Sequence, residues 1–361
     1  MNDKFSAISL FSGAGGMDVG FENSGFKVLF ANDIDPVACK TYDLNHEINS
    51  NCGDLRDYFG ELSQFRKVDM LFGGPPCQGF SVAGKMDPED ERSKLLWSYL
   101  DAVRLTTPSA FVCENVKALA VNSRWSSVRD EFFKKAESYG YVTAMLVLNA
   151  SHYGVPQARE RMFIIGIRKK LTKLNREQLY QMLKRELFLR ESTPESVGDL
   201  IRRLGPAGSS HNSRVCSAII TYAKNPVLRK TAYAGMLFNG AGRPIDSNGF
   251  ALTLPASMGG NKTPIVDEDE IFNGKESYVV NYHKHLTRGG TAKSGLAPSR
   301  LRRITVDEAL AIQSFPSDYE LAGSQSAMYR QIGNAVPCKL AEVVSESVKS
   351  VLNIEEQLRV A

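Results

Sequence analysis

Short apolar runs alternate with helix-like segments through the first half of the chain. No other property of the sequence restricts the fold as strongly. Ala7 to Phe11, Lys27 to Ala31, Val68 to Phe72, Ala110 to Cys113, Val142 to Leu148 and Met162 to Ile167 read as strands. A glycine turn with a helical stretch to Asn23 follows the first. Asp35-Pro36, an N-cap with proline at the first helical position, follows the second. Amphipathic stretches from Ser93 to Leu105 and from Trp125 to Tyr139 separate later strands. This alternation predicts an α/β fold with a doubly wound, mostly parallel, Rossmann-like sheet.

The pattern stops near Arg168. Lys169 to Arg190 is basic and helical in propensity, and after Pro194 the chain becomes rich in Gly, Ser, Asn and Pro. A helical pattern returns at Thr305, and a last amphipathic helix is expected from Lys339 to Leu352. The expected organisation is a discontinuous domain, 1–168 plus 304–361, carrying an inserted smaller domain of short strands and loops at 185–300. Residues 169–184 form a helical connection between them. The chain of 361 residues is long enough for such a pair of cores. It has no apolar run of membrane-spanning length and no signal-like start. Its six cysteines, at 39, 52, 77, 113, 216 and 338, include no Cys-x-x-Cys pair, so neither a zinc site nor a redox pair is expected. Scattered thiols suit a reducing cytoplasm.

The net charge of +4 says little, but its distribution says more. No acidic residue lies between Asp199 and Asp246, a span with Arg202, Arg203, Arg214, Lys224, Arg229, Lys230 and Arg243. None lies between Glu276 and Asp307, a span with His283, Lys284, His285, Arg288, Lys293, Arg300, Arg302 and Arg303. Such stretches are the footprint of a polyanion partner or a solvated basic face.

Three features sit where α/β folds bind ligands, at the carboxyl ends of strands. Gly73-Gly74-Pro75-Pro76-Cys77 turns sharply out of the Val68–Phe72 run, and Cys77 there is either a nucleophile or a buried thiol. Phe11-Ser12-Gly13-Ala14-Gly15-Gly16 lies between the first strand and helix, where glycines let a ligand approach or simply make a tight turn. Asp33 ends the second strand, a place for a carboxylate that grips ribose, and Asp54 follows a third, within reach of an adenine amino group. Loop, acid and acid at successive strand ends suit a nucleoside cofactor.

With these residues in view, the chain resembles the DNA (cytosine-5) methyltransferases of bacterial restriction-modification type. Phe11 to Gly16 is similar to the family's S-adenosylmethionine loop, and Gly74-Pro75-Pro76-Cys77-Gln78 to its catalytic loop. Glu114-Asn115-Val116 and Gln157-Ala158-Arg159-Glu160-Arg161 match two further motifs. Gly333-Asn334-Ala335-Val336 is similar to the motif that returns to the cofactor domain. The resemblance implies a class I S-adenosylmethionine-dependent methyltransferase fold. It also implies a target-recognition role for the insert and the methylation of carbon 5 of a cytosine in a short duplex DNA site.

Cytosine carbon 5 is too weak a nucleophile for a methyl sulfonium until a thiolate adds at carbon 6. Cys77 would be that thiolate. Glu114, at the end of the Ala110–Cys113 strand, would hold or protonate ring nitrogen 3, its pKa raised by partial desolvation. Arg159 and Arg161, on one side of an extended strand, would contact the flipped base and its phosphate. Cys113 would face the core.

The resemblance places the cofactor, released as S-adenosylhomocysteine, on Phe11, Gly13, Gly15, Gly16, Asp33, Ile34, Asp54, Leu55, Pro76 and Asn334. Ile34 stands where an aromatic residue often stacks on adenine. DNA contacts would come from Gln78, Ser81 and Arg92 on a mobile lid, and from Lys262 and Arg288 in the insert. The expected partner is duplex DNA, bound by a cytoplasmic, nucleoid-associated bacterial monomer that needs no metal. A cognate restriction nuclease or other defence proteins would act beside it without a stable complex. An RNA-acting branch shares the fold, but the large basic insert favours DNA. A third reading, a non-catalytic DNA-binding module, conflicts with the intact Cys77, Glu114 and Arg159/Arg161 set.

Overall fold

The computed structural model describes residues 5–76 and 94–360, excepting the side chains of 356–360. The chain divides into two compact units. The first comprises Met1–Tyr153, Glu160–Ser192 and Val336–Ala361; the second comprises Gly154–Arg159 and Thr193–Ala335.

In the first unit, β1 (Phe5–Leu10), β2 (Phe26–Asp33), β3 (Asn51–Cys52), β4 (Met70–Gly73), β5 (Ala110–Val116), β6 (Tyr141–Asn149) and β8 (Glu160–Arg168) form one sheet. Its order is β3-β2-β1-β4-β5-β8-β6; the short β7 (Gln157–Ala158) belongs to the second unit. All pairs from β3 to β5 are parallel, and β8 runs antiparallel between β5 and β6. The helices of this unit are α1 (Gly16–Asn23), α2 (Pro36–Asn45), α3 (Phe59–Leu62), α4 (Lys94–Thr106), α5 (Lys117–Val121), α6 (Ser126–Ser138), α7 (Arg176–Phe188) and α13 (Cys338–Val360). This is the expected α/β, mostly parallel architecture.

The core explains the order. Every residue of β4 is buried between β1 and β5, as a strand covered on both faces must be. Phe21 of α1 stacks on Phe72 with ring centroids 3.9 Å apart. Phe111 meets Tyr141 and Phe132 edge-on. Side chains of this size each contribute roughly 1.5–3 kcal/mol on burial. Asp35 caps α2 as expected, its carboxylate accepting from the Val37 amide at 2.9 Å with Pro36 at the first helical position.

The second unit has little regular structure. β9 (Tyr222–Val227) pairs antiparallel with β10 (Met236–Phe238), and β12 (Ile265–Asp267) with β13 (Leu301–Arg303). β11 (Ala251–Leu252) pairs parallel with β7. Its helices are α8 (Val197–Leu204), α9 (Glu268–Asn273), α10 (Tyr278–Thr287), α11 (Val306–Ile312) and α12 (Gln325–Asn334). A small apolar cluster of Ile220, Leu237, Phe238, Ile265, Tyr282 and Leu301 lies within it.

The compact units are cut differently from the expected domains. Residues 169–192 fall in the first, because α7 packs on β6 and α13. Residues 304–335 fall in the second, where α11 is tied down by charge: Asp307 accepts from the Arg214 Nε at 2.7 Å and Glu308 from the Arg302 guanidinium at 2.6 and 2.8 Å. The last helix starts one residue before the expected Lys339 and runs to Val360, beyond Leu352.

Candidate active site

The turn that leaves β4 is braced by β5. Cys77, Gln78, Ser81 and Arg92 lie outside the described residues, so the loop is described up to Pro76, which is half-buried. The Asn115 Nδ2 donates to the Pro75 carbonyl at 3.1 Å. Glu114, 9% exposed, faces Gly74: a Cβ built there would stand 2.7 Å from Glu114 Oε2, so only glycine leaves the carboxylate room. The expected strand end at Cys113 needs correction. β5 continues to Val116, and Glu114 pairs with Phe163 of β8. The extension exists because β8 supplies a pairing edge along the whole strand. Cys113 is fully buried, as expected for a core thiol, and burial pushes its pKa well up.

Arg161 stands opposite Val116, one diagonal step from Glu114, and its Nε donates to Glu114 Oε1 at 2.8 Å. Arg159 does not join Arg161. It precedes β8 and is fully buried in the second unit, its two terminal nitrogens donating to the carbonyls of Leu254 at 3.2 Å and Gly333 at 2.9 Å. The strand break between Ala158 and Glu160 defeats the simple alternation expected of the pair. Gln157, quoted only as part of a motif, is buried beside it. Its Oε1 accepts from the Leu254 amide at 3.0 Å and its Nε2 donates to Gln313 at 3.1 Å. The motif spacing was the one sequence signal for Gln157, as it was for Asn115.

At the other strand ends, Phe11 has φ 55, a left-handed conformation that is costly for an aromatic residue, and Gly13 and Gly15 follow with φ 55 and 77. A Cβ at Gly13 would meet nothing within 4 Å, so the turn borders open space. Gly15 caps α1 without a side-chain bond, leaving the amides at the helix start available to an anion. Asp33 holds this turn: Oδ2 accepts from the Gly13 amide and Oδ1 from the Asp35 amide, each at 2.8 Å. Burial pushes the Asp33 carboxyl up, against the pull of these amides. Ile34 is 67% exposed, an uncovered apolar side chain next to Asp33.

Asp54 is already engaged. It takes a bidentate pair from Arg56 at 2.9 and 2.6 Å, which holds its carboxyl below the usual range. Leu55 is buried, and Asn334 is exposed at the end of α12.

Beneath the turn lies a group that the sequence did not signal. Asp18, in the first turn of α1, is fully buried and accepts from Tyr42 Oη at 3.0 Å. Burial pushes its carboxyl up to about 6, with His46 pulling the other way. His46 pairs with Glu22 at 2.9 Å and stacks on Tyr42. Burial alone would lower the His46 pKa; Glu22 and Asp18 outweigh it and raise it.

The basic spans are less uniform than their composition. Arg202, Arg203, Arg214, Arg300 and Arg302 pair with acids outside the spans, and Arg303 is buried, donating to the carbonyls of Thr263 at 2.7 Å and Asn239 at 3.1 Å. Lys224, Arg229, Lys230, Arg243, Lys262, Lys284 and Arg288 are exposed, and none pairs with an acid among the described residues. Tyr282 to His285 are helical, in α10. Gly259 to Thr263 do form a turn, with the Gly259 amide donating to Thr263 Oγ1 at 2.9 Å. Among the described residues no cluster of three metal-ligating side chains occurs, and no helix is long and apolar enough to cross a membrane.

Residues 5–350 match the family described as C-5 cytosine-specific DNA methylase. The Type II methyltransferase M.FnuDI of Fusobacterium nucleatum is 30% identical over 354 residues, covering 98% of this chain and 96% of that one. The Type II methyltransferase M1.HphI of Haemophilus parahaemolyticus is 31% identical over 356 residues, covering 94% and 86%. Among solved structures, the S. pombe Dnmt2 methyltransferase superposes with a TM-score of 0.64 at 18% identity, covering 97% of this chain and 98% of that one, a likeness of fold.

Proposed function

The chain belongs to the C-5 cytosine-specific DNA methylase family and is a DNA cytosine-5 methyltransferase; from that premise we propose that it modifies one cytosine within a short duplex site, flipping the base and adding the Cys77 thiolate at carbon 6. The observation that carries this reading is the buried Glu114 carboxylate, fixed by Arg161 at 2.8 Å and set against Gly74 of the turn that precedes Cys77 in sequence.

Family membership implies S-adenosylmethionine, which supplies an electrophilic methyl group when bound and leaves as S-adenosylhomocysteine. The residues present fit it. Gly13 borders open space, and with Phe11, Gly15 and Gly16 it forms the turn into a helix start without a side-chain cap, suited to a carboxylate. Each Asp33 oxygen accepts one backbone bond and keeps a lone pair for a ribose hydroxyl. Exposed Ile34 offers an apolar face to the adenine, while Asp54 would share its carboxylate between Arg56 and the adenine amino group. Leu55 and Pro76 complete the proposed rim, and the family resemblance assigns Asn334 to the cofactor as well.

Cys77 raises the electron density at carbon 5 by bonding to carbon 6. Glu114 holds ring nitrogen 3 while charge develops there, and Arg161 orients Glu114. Arg159 fixes the backbone at Leu254 and Gly333. Extruding the base costs a few kcal/mol, which DNA contacts must offset. We assign those contacts to Gln78, Ser81 and Arg92, and in the 185–300 target-recognition region to Lys262 and Arg288, with the other exposed cations of the basic spans. The Type II relatives support a protective role within a restriction-modification or related defence system, exercised as a monomer on cytoplasmic, nucleoid DNA without a metal.

The test is transfer of labelled methyl groups to duplex DNA. Cys77→Ser is expected to abolish transfer and keep DNA binding, whereas equal turnover by that variant would remove Cys77 as nucleophile. DNA affinity is expected to fall steeply with added salt. A flat response would remove the exposed cations as the DNA face.

A further inference from the structure

Two of the thiols converge on the residue that organises the proposed cofactor rim. Cys39 lies on α2, and its Sγ donates to the Asp33 carbonyl at 3.4 Å. Cys52 lies on β3, in register opposite Asp33, and the next amide, Gly53, donates to the same carbonyl at 2.9 Å. Ser50 ties the two elements together, its Oγ donating to the Cys39 carbonyl at 3.3 Å. Cys39 through its sulfur and Cys52 through the amide that follows it thus meet at one carbonyl oxygen. Cys39 is buried and Cys52 is exposed. The other described cysteines, Cys113, Cys216 and Cys338, are all buried.

We propose that Cys39 and Cys52 form a reversible disulfide on exposure to a hydroperoxide, and that this bond weakens S-adenosylmethionine binding by displacing Cys39 from the Asp33 carbonyl. The inference rests on the cofactor reading given above. The chemistry closes on the groups present. The exposed Cys52 thiol takes one oxygen from the hydroperoxide, whose O–O bond breaks to leave an alcohol or water, and becomes a sulfenic acid. The Cys39 sulfur then attacks the Cys52 sulfur. The S–S bond forms, the S–OH bond breaks, and the hydroxyl leaves with the Cys39 proton as water.

The division of roles follows the surroundings. A dissolved hydroperoxide reaches the exposed Cys52 first, while burial shields Cys39 from direct oxidation. Disulfides of this kind in a reducing compartment are typically transient and redox-sensing. The coupling to the cofactor is structural. Asp33 carries the Gly13 and Asp35 amides on its carboxylate and the Cys39 thiol and Gly53 amide on its carbonyl. Pulling one of these away moves the strand end that aims the other three.

The experiment uses the full-length chain carrying Cys77→Ser, so that oxidation of that thiol cannot enter the readout. The protein is treated with hydrogen peroxide, digested without reductant and mapped by mass spectrometry. In parallel, equilibrium binding of labelled S-adenosylmethionine is measured before treatment, after treatment and after dithiothreitol. The expected result is a peptide crosslinked between Cys39 and Cys52 and an affinity lowered about tenfold, within the usual range of coupling between sites. Dithiothreitol should restore it, and Cys52→Ser should show neither crosslink nor loss. Absence of the crosslink, or a crosslink with unchanged affinity, would overturn the inference and leave the cofactor site standing. Failure of the reduced protein to bind S-adenosylmethionine would overturn the cofactor reading itself, and this inference with it.

Discussion

The two compact units solve the same problem with different materials. The first buries long apolar strands on both faces, and its polar working groups, Asp33, Glu114 and Asn115, sit at or near strand ends where the sheet holds them. The second has strands of two to six residues and holds its shape with buried charge. Glu308 is fully buried and accepts from Arg302, from Asn212 at 2.8 Å and from the Thr305 amide at 2.9 Å. Arg159 and Arg303 are buried on carbonyls. A regular sheet fixes a reaction centre through hydrophobic packing. An irregular surface that leaves cations free has to be pinned by specific polar bonds instead.

The largest test of that contrast is Glu308→Ala. It leaves Arg302 with Glu268 as its one acid partner among the described residues, and the Asn212 side-chain amide and Thr305 amide without this acceptor, and should cost the second unit ~3 kcal/mol, read as early proteolysis of the 193–335 region and a shifted urea midpoint. A near-neutral Glu308→Ala would break the contrast. Asp18, fully buried in the first unit, is an exception whose behaviour sharpens it. Its folded pKa of about 6 lies above the ordinary 3.8, so the folded state binds the extra proton. Its stabilising contribution is complete below pH ~4 and lost as pH rises to ~6, a change of up to ~3 kcal/mol. The raised His46 pKa acts in the same direction. Thermal melts across that window should slope downward with pH, and Asp18→Asn should flatten the slope; an unchanged slope would place the titration elsewhere. The smallest effect is expected from Gly74→Ala. Its methyl group must push Glu114 Oε2 aside, and methyl transfer should fall about tenfold to a hundredfold with little change in melting temperature. Full activity would mean that the carboxylate needs no fixed place.

The strands, the Asp35-Pro36 helix start and the glycine turn were legible because each is set by local pattern, and each lies within a residue or two of its expected place except the end of β5, which comes three residues later. What was not legible depends on pairing partners distant in sequence. β5 runs through Glu114 because β8 lies alongside it. Arg159 and Arg161 part company because the chain breaks pairing between β7 and β8. Five arginines of the basic spans are neutralised by acids that composition within the spans could not show. The convergence of Cys39 and the Cys52–Gly53 step on the Asp33 carbonyl needs the α2–β3 packing and leaves no spacing signature.

Glu114 is where the regular unit is held to matter for chemistry, and Glu114→Gln tests it most directly. The measurement is single-turnover methyl transfer to duplex DNA at saturating S-adenosylmethionine. A fall of about a hundredfold or more, with cofactor affinity unchanged, is the result expected if Arg161 and Gly74 position that carboxylate for the base. Transfer at the rate of the unaltered protein would contradict it.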